Sequence, residues 1–237
     1  MKTKIVSIPI DHRERVSGVL SIPGRHRPGE GAGIIIAHGA NNDMNNPLIV
    51  FLSEGLAHTG YPTLRFNFPY KEKGRKVPDS QGVLVRTWQS AYEFLRGHPE
   101  SAPGRVLAAG KSMGGRVASQ MVAEGLLGAD GLIFLGYPLH PPGDKGKLRS
   151  ANLFQIRVPL LFFTGTRDSL CDVSLLRGVL ERLSVPWDLE MIEGANHSFR
   201  VPKSSGQTGE EIYGRILGKT VAWLEARGEA PRSRALD

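Results

Sequence analysis

The sequence predicts an α/β protein: a doubly wound, mostly parallel sheet with helices on both faces, opened by an antiparallel hairpin. Three observations carry this. Largely apolar runs at residues 33–37, 105–109, 131–135 and 159–164 read as strands, and those at 33–37 and 131–135 as strands buried on both faces, as in a parallel sheet. Segments with apolar residues at helical spacing alternate with them. Two β-branched runs, residues 4–10 and 15–22, precede the alternation and are separated by the polar turn Asp11-His12-Arg13-Glu14.

Taken in order, the hairpin leads through a Pro- and Gly-rich loop, residues 23–31, to the strand at 33–37 and then to His38-Gly39-Ala40-Asn41. Asn46 and Pro47 form a helix start, with Leu48, Phe51, Leu52 and Leu56 on one stripe and Gly60 as the stop. A strand is expected over residues 63–68, then a polar, basic loop over 69–79, then a helix capped by Ser80 that carries Leu84, Trp88, Ala91 and Leu95. The strand at 105–109 runs into a glycine-flanked serine and a helix over 115–123. After the strand at 131–135 comes an irregular stretch, 136–157, too rich in proline and charge for regular structure. A strand over 159–164, a helix over 172–183, a strand over 187–192 and a helix over 210–226 complete the alternation. One domain is expected over residues 1–227, followed by a flexible tail, 228–237.

Composition narrows the functional classes. Cys171 is the only cysteine, which excludes an internal disulfide and a multi-cysteine metal site; as a catalytic thiol it lacks a strand-to-helix turn around it. The net charge of +7 raises the question of nucleic acid, but the basic residues are scattered apart from Lys71, Lys73, Arg75 and Lys76, and no aromatic-basic motif accompanies them. Solubility or attraction of an anionic substrate is the better reading, and no nucleic-acid partner is expected. No apolar run is long enough to span a bilayer, and the run after Met1-Lys2-Thr3-Lys4 is too short and too interrupted for a signal peptide, so a cytoplasmic protein without a membrane partner is expected.

The chemistry centres on Gly110-Lys111-Ser112-Met113-Gly114. A serine between two glycines at a strand-to-helix junction has the form of a nucleophile elbow, where the tight turn leaves no room for a Cβ at either glycine. The pattern is common by chance in a chain with 29 glycines, so context decides. The His38-Gly39 loop, Ser112, Asp168 and His197 each lie directly after an expected strand, and therefore at one edge of the sheet. A serine needs a base to accept its proton, and an imidazole fixed by a carboxylate can do so. The chain order Ser112, Asp168, His197 suits a triad on this architecture. Asp172, four residues beyond Asp168, reads as a helix N-cap instead. His12, His26, His58 and His98 fall in turns or on helix surfaces, and His38 reads as a structural hydrogen-bonder. Backbone N–H groups of Ala40 and Met113 are the expected oxyanion donors. Asn41, Tyr70, Tyr137 and His140 are candidates for shaping the pocket, and Lys111 reads as a surface or ion-paired residue.

The strings H-G-A-N-N-D-M-N-N-P, R-F-N-F-P-Y, G-K-S-M-G-G-R, G-Y-P-L-H-P-P-G, F-F-T-G-T-R-D and G-A-N-H-S-F resemble the dienelactone-hydrolase-like branch of the α/β-hydrolase superfamily. That branch includes bacterial hydrolases of unassigned substrate, a chromatin-complex subunit's hydrolase-like domain and a testis-expressed relative. The resemblance spans residues from about 33 to 197 and beyond. It implies the α/β-hydrolase fold, with Ser112 as nucleophile, Asp168 as acid, His197 as base and residues 38–41 as the oxyanion region. Dienelactone hydrolases proper use a cysteine where Ser112 stands, and the loop reads H-G-A-N rather than the H-G-G-G of many lipases, so neither substrate carries over. No large cap domain fits between residues 135 and 159, and an open pocket is expected. The function expected is a serine hydrolase acting on a small acyl substrate, a carboxylic ester or thioester, without metal or organic cofactor. A peptidase of the same fold and a hydrolase-shaped interaction protein are the alternatives.

Overall fold

The computed structural model describes residues 1–228, so the tail expected at 228–237 lies, beyond Gly228, outside the described residues. Eight strands form one sheet in the order β1-β2-β4-β3-β5-β6-β7-β8. They are β1 (Lys2–Pro9), β2 (Arg15–Ile22), β3 (Ala32–Ala37), β4 (Thr63–Phe66), β5 (Arg105–Lys111), β6 (Gly131–Leu135), β7 (Leu160–Gly165) and β8 (Trp187–Ile192). β1 pairs antiparallel with β2, and β2 antiparallel with β4; every later pairing is parallel. The helices are α1 (Pro47–His58), α2 (Pro69–Glu72), α3 (Gln81–Gly97), α4 (Met113–Ala123), α5 (Val173–Leu180) and α6 (Gly209–Glu225).

Period-2 alternation divides the apolar residues of each central strand between two cores. Ile34, Ile36, Leu107, Ala109, Ile133, Leu135, Leu161 and Phe163 pack with Leu48, Leu52 and Leu56 of α1 and Ile212, Ile216, Trp223 and Leu224 of α6. Their neighbours Ile35, Val106, Ala108, Leu132, Phe134, Leu160 and Phe162 pack with Leu84, Trp88 and Leu95 of α3, Val117 and Met121 of α4, and Leu176 and Leu180 of α5. Strands buried from both sides explain why their sequences are apolar without a polar face. Each fully buried Leu or Phe contributes about 1.5–3 kcal/mol, which fixes the sheet as the rigid base for the loops at its carboxyl edge.

The structure departs from the sequence expectations at a few junctions. The strand expected to reach residue 68 stops at Phe66, because Asn67 turns the chain. Its Oδ1 accepts from the Met44 N–H at 2.8 Å and its Nδ2 donates to Glu72 Oε1 at 2.9 Å. The expected loop that follows begins with the short α2, for which Pro69 supplies the first-turn residue. Ser80 stands at the N-cap position of α3 but its side chain makes no capping bond. Asp172 does cap α5, its Oδ1 accepting from the Ser174 and Leu175 N–H groups at 3.0 and 3.1 Å. α6 opens on a reciprocal capping box between Thr208 and Glu211. The segment between β6 and β7 carries one 3-10 helix, Ala151–Gln155, and no cap domain.

Candidate active site

β5 runs straight into Ser112, and α4 starts at the next residue. Ser112 has φ 49° and ψ −113°, an unfavourable region for a residue with a Cβ, so the turn is strained at the residue whose hydroxyl it presents. A Cβ on Gly110 would sit 2.2 Å from the Gly115 nitrogen, and one on Gly114 would sit 2.6 Å from the His38 carbonyl oxygen. Those close backbone approaches are what the two glycines permit. Gly110→Ala is therefore expected to cost about 3 kcal/mol or more, because the atoms in the way are backbone and cannot rotate aside. A denaturation midpoint equal to that of the wild type would contradict this.

Three side chains from three strand ends converge. His197, in the loop after β8, donates from Nδ1 to Asp168 Oδ2 at 2.8 Å, which leaves Nε2 to accept from Ser112 Oγ at 2.9 Å. Asp168, in the loop after β7, has a fully buried side chain, and its other oxygen accepts from the Leu170 N–H at 2.8 Å. The two loops are tied together: Thr166 N–H donates to Ile192 O at 3.1 Å, Arg167 N–H to Ala195 O at 2.9 Å, and Gly194 N–H to Thr166 Oγ1 at 2.8 Å. The His197 side chain is 20% exposed, so the chain of hydrogen bonds opens to solvent at Ser112 and His197. Asp168, and not Asp172, is the carboxylate that reaches the imidazole.

The loop after β3 lies against the elbow, with a Cβ on Gly39 falling 3.4 Å from the Ser112 Cβ. Met113 is the first residue of α4, so its N–H has no acceptor within the helix. His38 is buried and satisfied on both ring nitrogens: Nδ1 donates to Gly39 O at 2.8 Å, and Nε2 accepts from the Phe68 N–H at 3.1 Å. Burial lowers its pKa to about 4, which keeps the ring neutral, and the two hydrogen bonds select the tautomer. Tyr70 is buried, and its hydroxyl donates to Ala40 O at 2.8 Å, with Gly39 O at 3.3 Å. It braces the 39–40 loop from behind. Tyr70→Phe removes that brace; for an Ala40 N–H that serves as oxyanion donor, the role proposed for it below, the expected result is a loss of about tenfold in kcat with KM little changed. Unaltered kcat would show that the loop holds its place without the hydroxyl.

The remaining expected positions fall in different settings. Asn41 is exposed at the mouth of the loop. Tyr137 and His140 are buried and serve as struts. The Tyr137 hydroxyl donates to Arg149 O at 2.7 Å, and His140 Nε2 accepts from the Asp172 N–H at 3.0 Å, which joins the loop after β6 to the loop carrying Asp168. Cys171 is buried and its thiol is pushed up to about 12 by burial, leaving it an inert core residue at neutral pH. In the basic stretch, Lys73 pairs with Glu14 at 2.5 Å and Arg75 pairs with Asp79, so those two cations are compensated within the chain.

Lys111 corrects the sequence reading. It is 3% exposed, not a surface residue, and its Nζ donates to the His197 carbonyl oxygen at 2.8 Å. Burial lowers its pKa to about 8, against the partly opposing attraction of Asp168. β5 carries its pairing through Lys111, opposite Leu135 of β6, so the residue belongs to the sheet, a continuation that no local pattern marks. Among the described residues, no group of three or more His, Cys, Asp or Glu side chains could hold a metal ion, and no helix is long and apolar enough to cross a membrane.

A parallel sheet carrying a strained serine at a strand-to-helix elbow, with histidine and aspartate on later strand ends, defines the α/β-hydrolase class. Residues 30–225 match the alpha/beta hydrolase domain family, and the chain belongs to it. Among solved structures it is similar to a dienelactone hydrolase from Anabaena variabilis, at 21% identity over 95% of this chain and 97% of that one, with a TM-score of 0.74. It is similar also to a serine hydrolase without lid from Xanthomonas campestris, at 17% identity over 99% and 98% of the two chains and a TM-score of 0.74. A third is esterase 2 of Thermogutta terrifontis, at 17% identity over 98% and 96% and a TM-score of 0.75, in a form phosphorylated by paraoxon. At these identities the likeness is one of fold.

Proposed function

We propose that the protein is a serine hydrolase that cleaves a small carboxylic ester or thioester through an acyl-enzyme. The observation that carries the proposal is the unbroken hydrogen-bond chain from Asp168 through His197 to Ser112, with Ser112 at the elbow. In this reading Ser112 Oγ attacks the acyl carbon as its proton passes to His197 Nε2, and Asp168 stabilises the imidazolium that results. The N–H groups of Met113 and Ala40 receive the tetrahedral oxyanion. Collapse of the intermediate breaks the bond to the alkoxide or thiolate, which His197 protonates. A water molecule, deprotonated by His197, then attacks the acyl-serine, and the acid leaves with the active site restored.

Among the described residues the segment between β6 and β7 carries only a 3-10 helix, which favours a small substrate reached from an open face. Lys73 and Arg75 pair with Glu14 and Asp79, so neither is proposed to hold an anionic group of the substrate. The esterase with the same fold that reacts with paraoxon is the behaviour expected of Ser112 here. A series of p-nitrophenyl esters of increasing acyl length, run beside acyl thioesters, tests the proposal. Turnover that is saturable, favours short acyl chains and is absent in Ser112→Ala is the expected outcome. A folded protein inert toward the whole series would leave the interaction-protein alternative ahead.

A further inference from the structure

We infer that Lys111 is a positioning residue that clamps the turn carrying His197 to the nucleophile elbow, and so holds the imidazole on line with Ser112. The inference rests on the serine-hydrolase reading of the site. A lysine ammonium is costly to bury, so one that is 3% exposed beside a reactive serine calls for a physical reason. Its contacts supply it. Nζ donates to the carbonyl oxygen of His197 at 2.8 Å and lies 5.6 Å from the centroid of the Phe199 ring. Phe199 is buried with φ 58°, a left-handed conformation that a bulky residue adopts only when its surroundings hold it there.

The rest of that turn is tied within itself. Asn196 Oδ1 accepts from the Ser198 and Arg200 N–H groups at 2.9 and 3.1 Å, and the Phe199 N–H donates to Asn196 O at 2.9 Å. Those bonds shape the turn and do nothing to fix it relative to Ser112. Lys111 does, because it is the covalent neighbour of the nucleophile and its side chain ends on the main chain of the base. Asp168 on Nδ1, Ser112 on Nε2 and Lys111 on the carbonyl then hold His197 at three separate atoms. The titratable group that acts on the ammonium is Asp168, from the loop after β7, while the carbonyl it binds belongs to His197, in the loop after β8.

Lys111→Met keeps the length and apolar stem and removes the clamp. Three quantities are compared with wild type: the rate of labelling of Ser112 by a fluorophosphonate, kcat and KM for a p-nitrophenyl ester between pH 6 and 10, and the melting temperature. The expected result is a fall of about ten- to a hundredfold in labelling rate and kcat, since misplacement of a reacting group by an ångström has effects of that size. KM should stay close to wild type, and the melting temperature separates loss of the clamp from loss of the fold, since the His197 carbonyl is left without its donor. Wild-type activity should also decline above about pH 8, where the ammonium loses its proton, and the variant should lack that decline. Lys111→Gln keeps a donor but no charge; it should lie between the two in rate, show no alkaline decline, and decide the matter if the methionine variant does not fold. Equal rates, or the same pH dependence in wild type and variant, overturn the inference while leaving the hydrolase reading intact. A wild type that takes no label at Ser112 overturns both.

Discussion

Ser112→Ala is expected to lower ester turnover by about 10⁴- to 10⁶-fold while leaving the fold in place, the range seen when a triad serine is removed from an otherwise complete site. The hydroxyl touches one partner, His197 Nε2 at 2.9 Å, and serves no capping or packing role that alanine would vacate. Alanine has the same Cβ and meets the same φ of 49°, so the strain of the elbow is carried over rather than relieved. KM should therefore change little, and the loss should appear in kcat. The measurement is a full kinetic curve on the best ester of the series, with a melting temperature beside it. A loss smaller than about tenfold would mean that the hydrolysis comes from another group, since the triad account routes every turnover through Ser112.

Asp168→Asn is expected to lower kcat by about 10⁴-fold, and the geometry gives the reason. One carboxylate oxygen of Asp168 accepts from the Leu170 N–H at 2.8 Å and the other from His197 Nδ1 at 2.8 Å. An asparagine can satisfy Leu170 only with its carbonyl oxygen, which turns its NH₂ toward His197. The amide then donates to Nδ1 and drives the imidazole proton onto Nε2, where it blocks acceptance of the serine proton. The variant should fold, bind substrate with a similar KM and turn over slowly. Retention of more than about a tenth of wild-type kcat would show that Asp168 does not set the tautomer of the base.

Much of this site could be read in the chain because its parts obey local rules. Largely apolar runs marked β3, β5, β6 and β7, and the His38-Gly39 loop, Ser112 and Asp168 follow three of them; His197 follows the mixed strand β8, so strand order placed all four at one edge. Asp172 was separable from Asp168 because an N-cap has its own signature at a helix start. What could not be read was set by tertiary contacts. Lys111 looks like any charged loop residue until β5 is seen to continue through it, and its partner is 86 residues away. The sequence marks Tyr70 and Tyr137 as pocket candidates, but which backbone carbonyls their hydroxyls brace depends on loops packing across strand ends. Asn67 ended β4 early through bonds to Met44 and Glu72 that no pattern within T-L-R-F-N-F announces. The capping box of α6 was legible in Thr208-x-x-Glu211, a local signal that the apolar pattern of the helix overshadowed.

The central claim is that Ser112 is an activated nucleophile, and trapping it is the most direct measurement. The protein, folded and at pH 7.5 to 8, is incubated with a fluorophosphonate and analysed by intact mass and peptide mapping, with Ser112→Ala as control. The account predicts one adduct per chain, mapped to Ser112 and absent from the control. No adduct on folded protein, or an adduct that persists in Ser112→Ala, would contradict it.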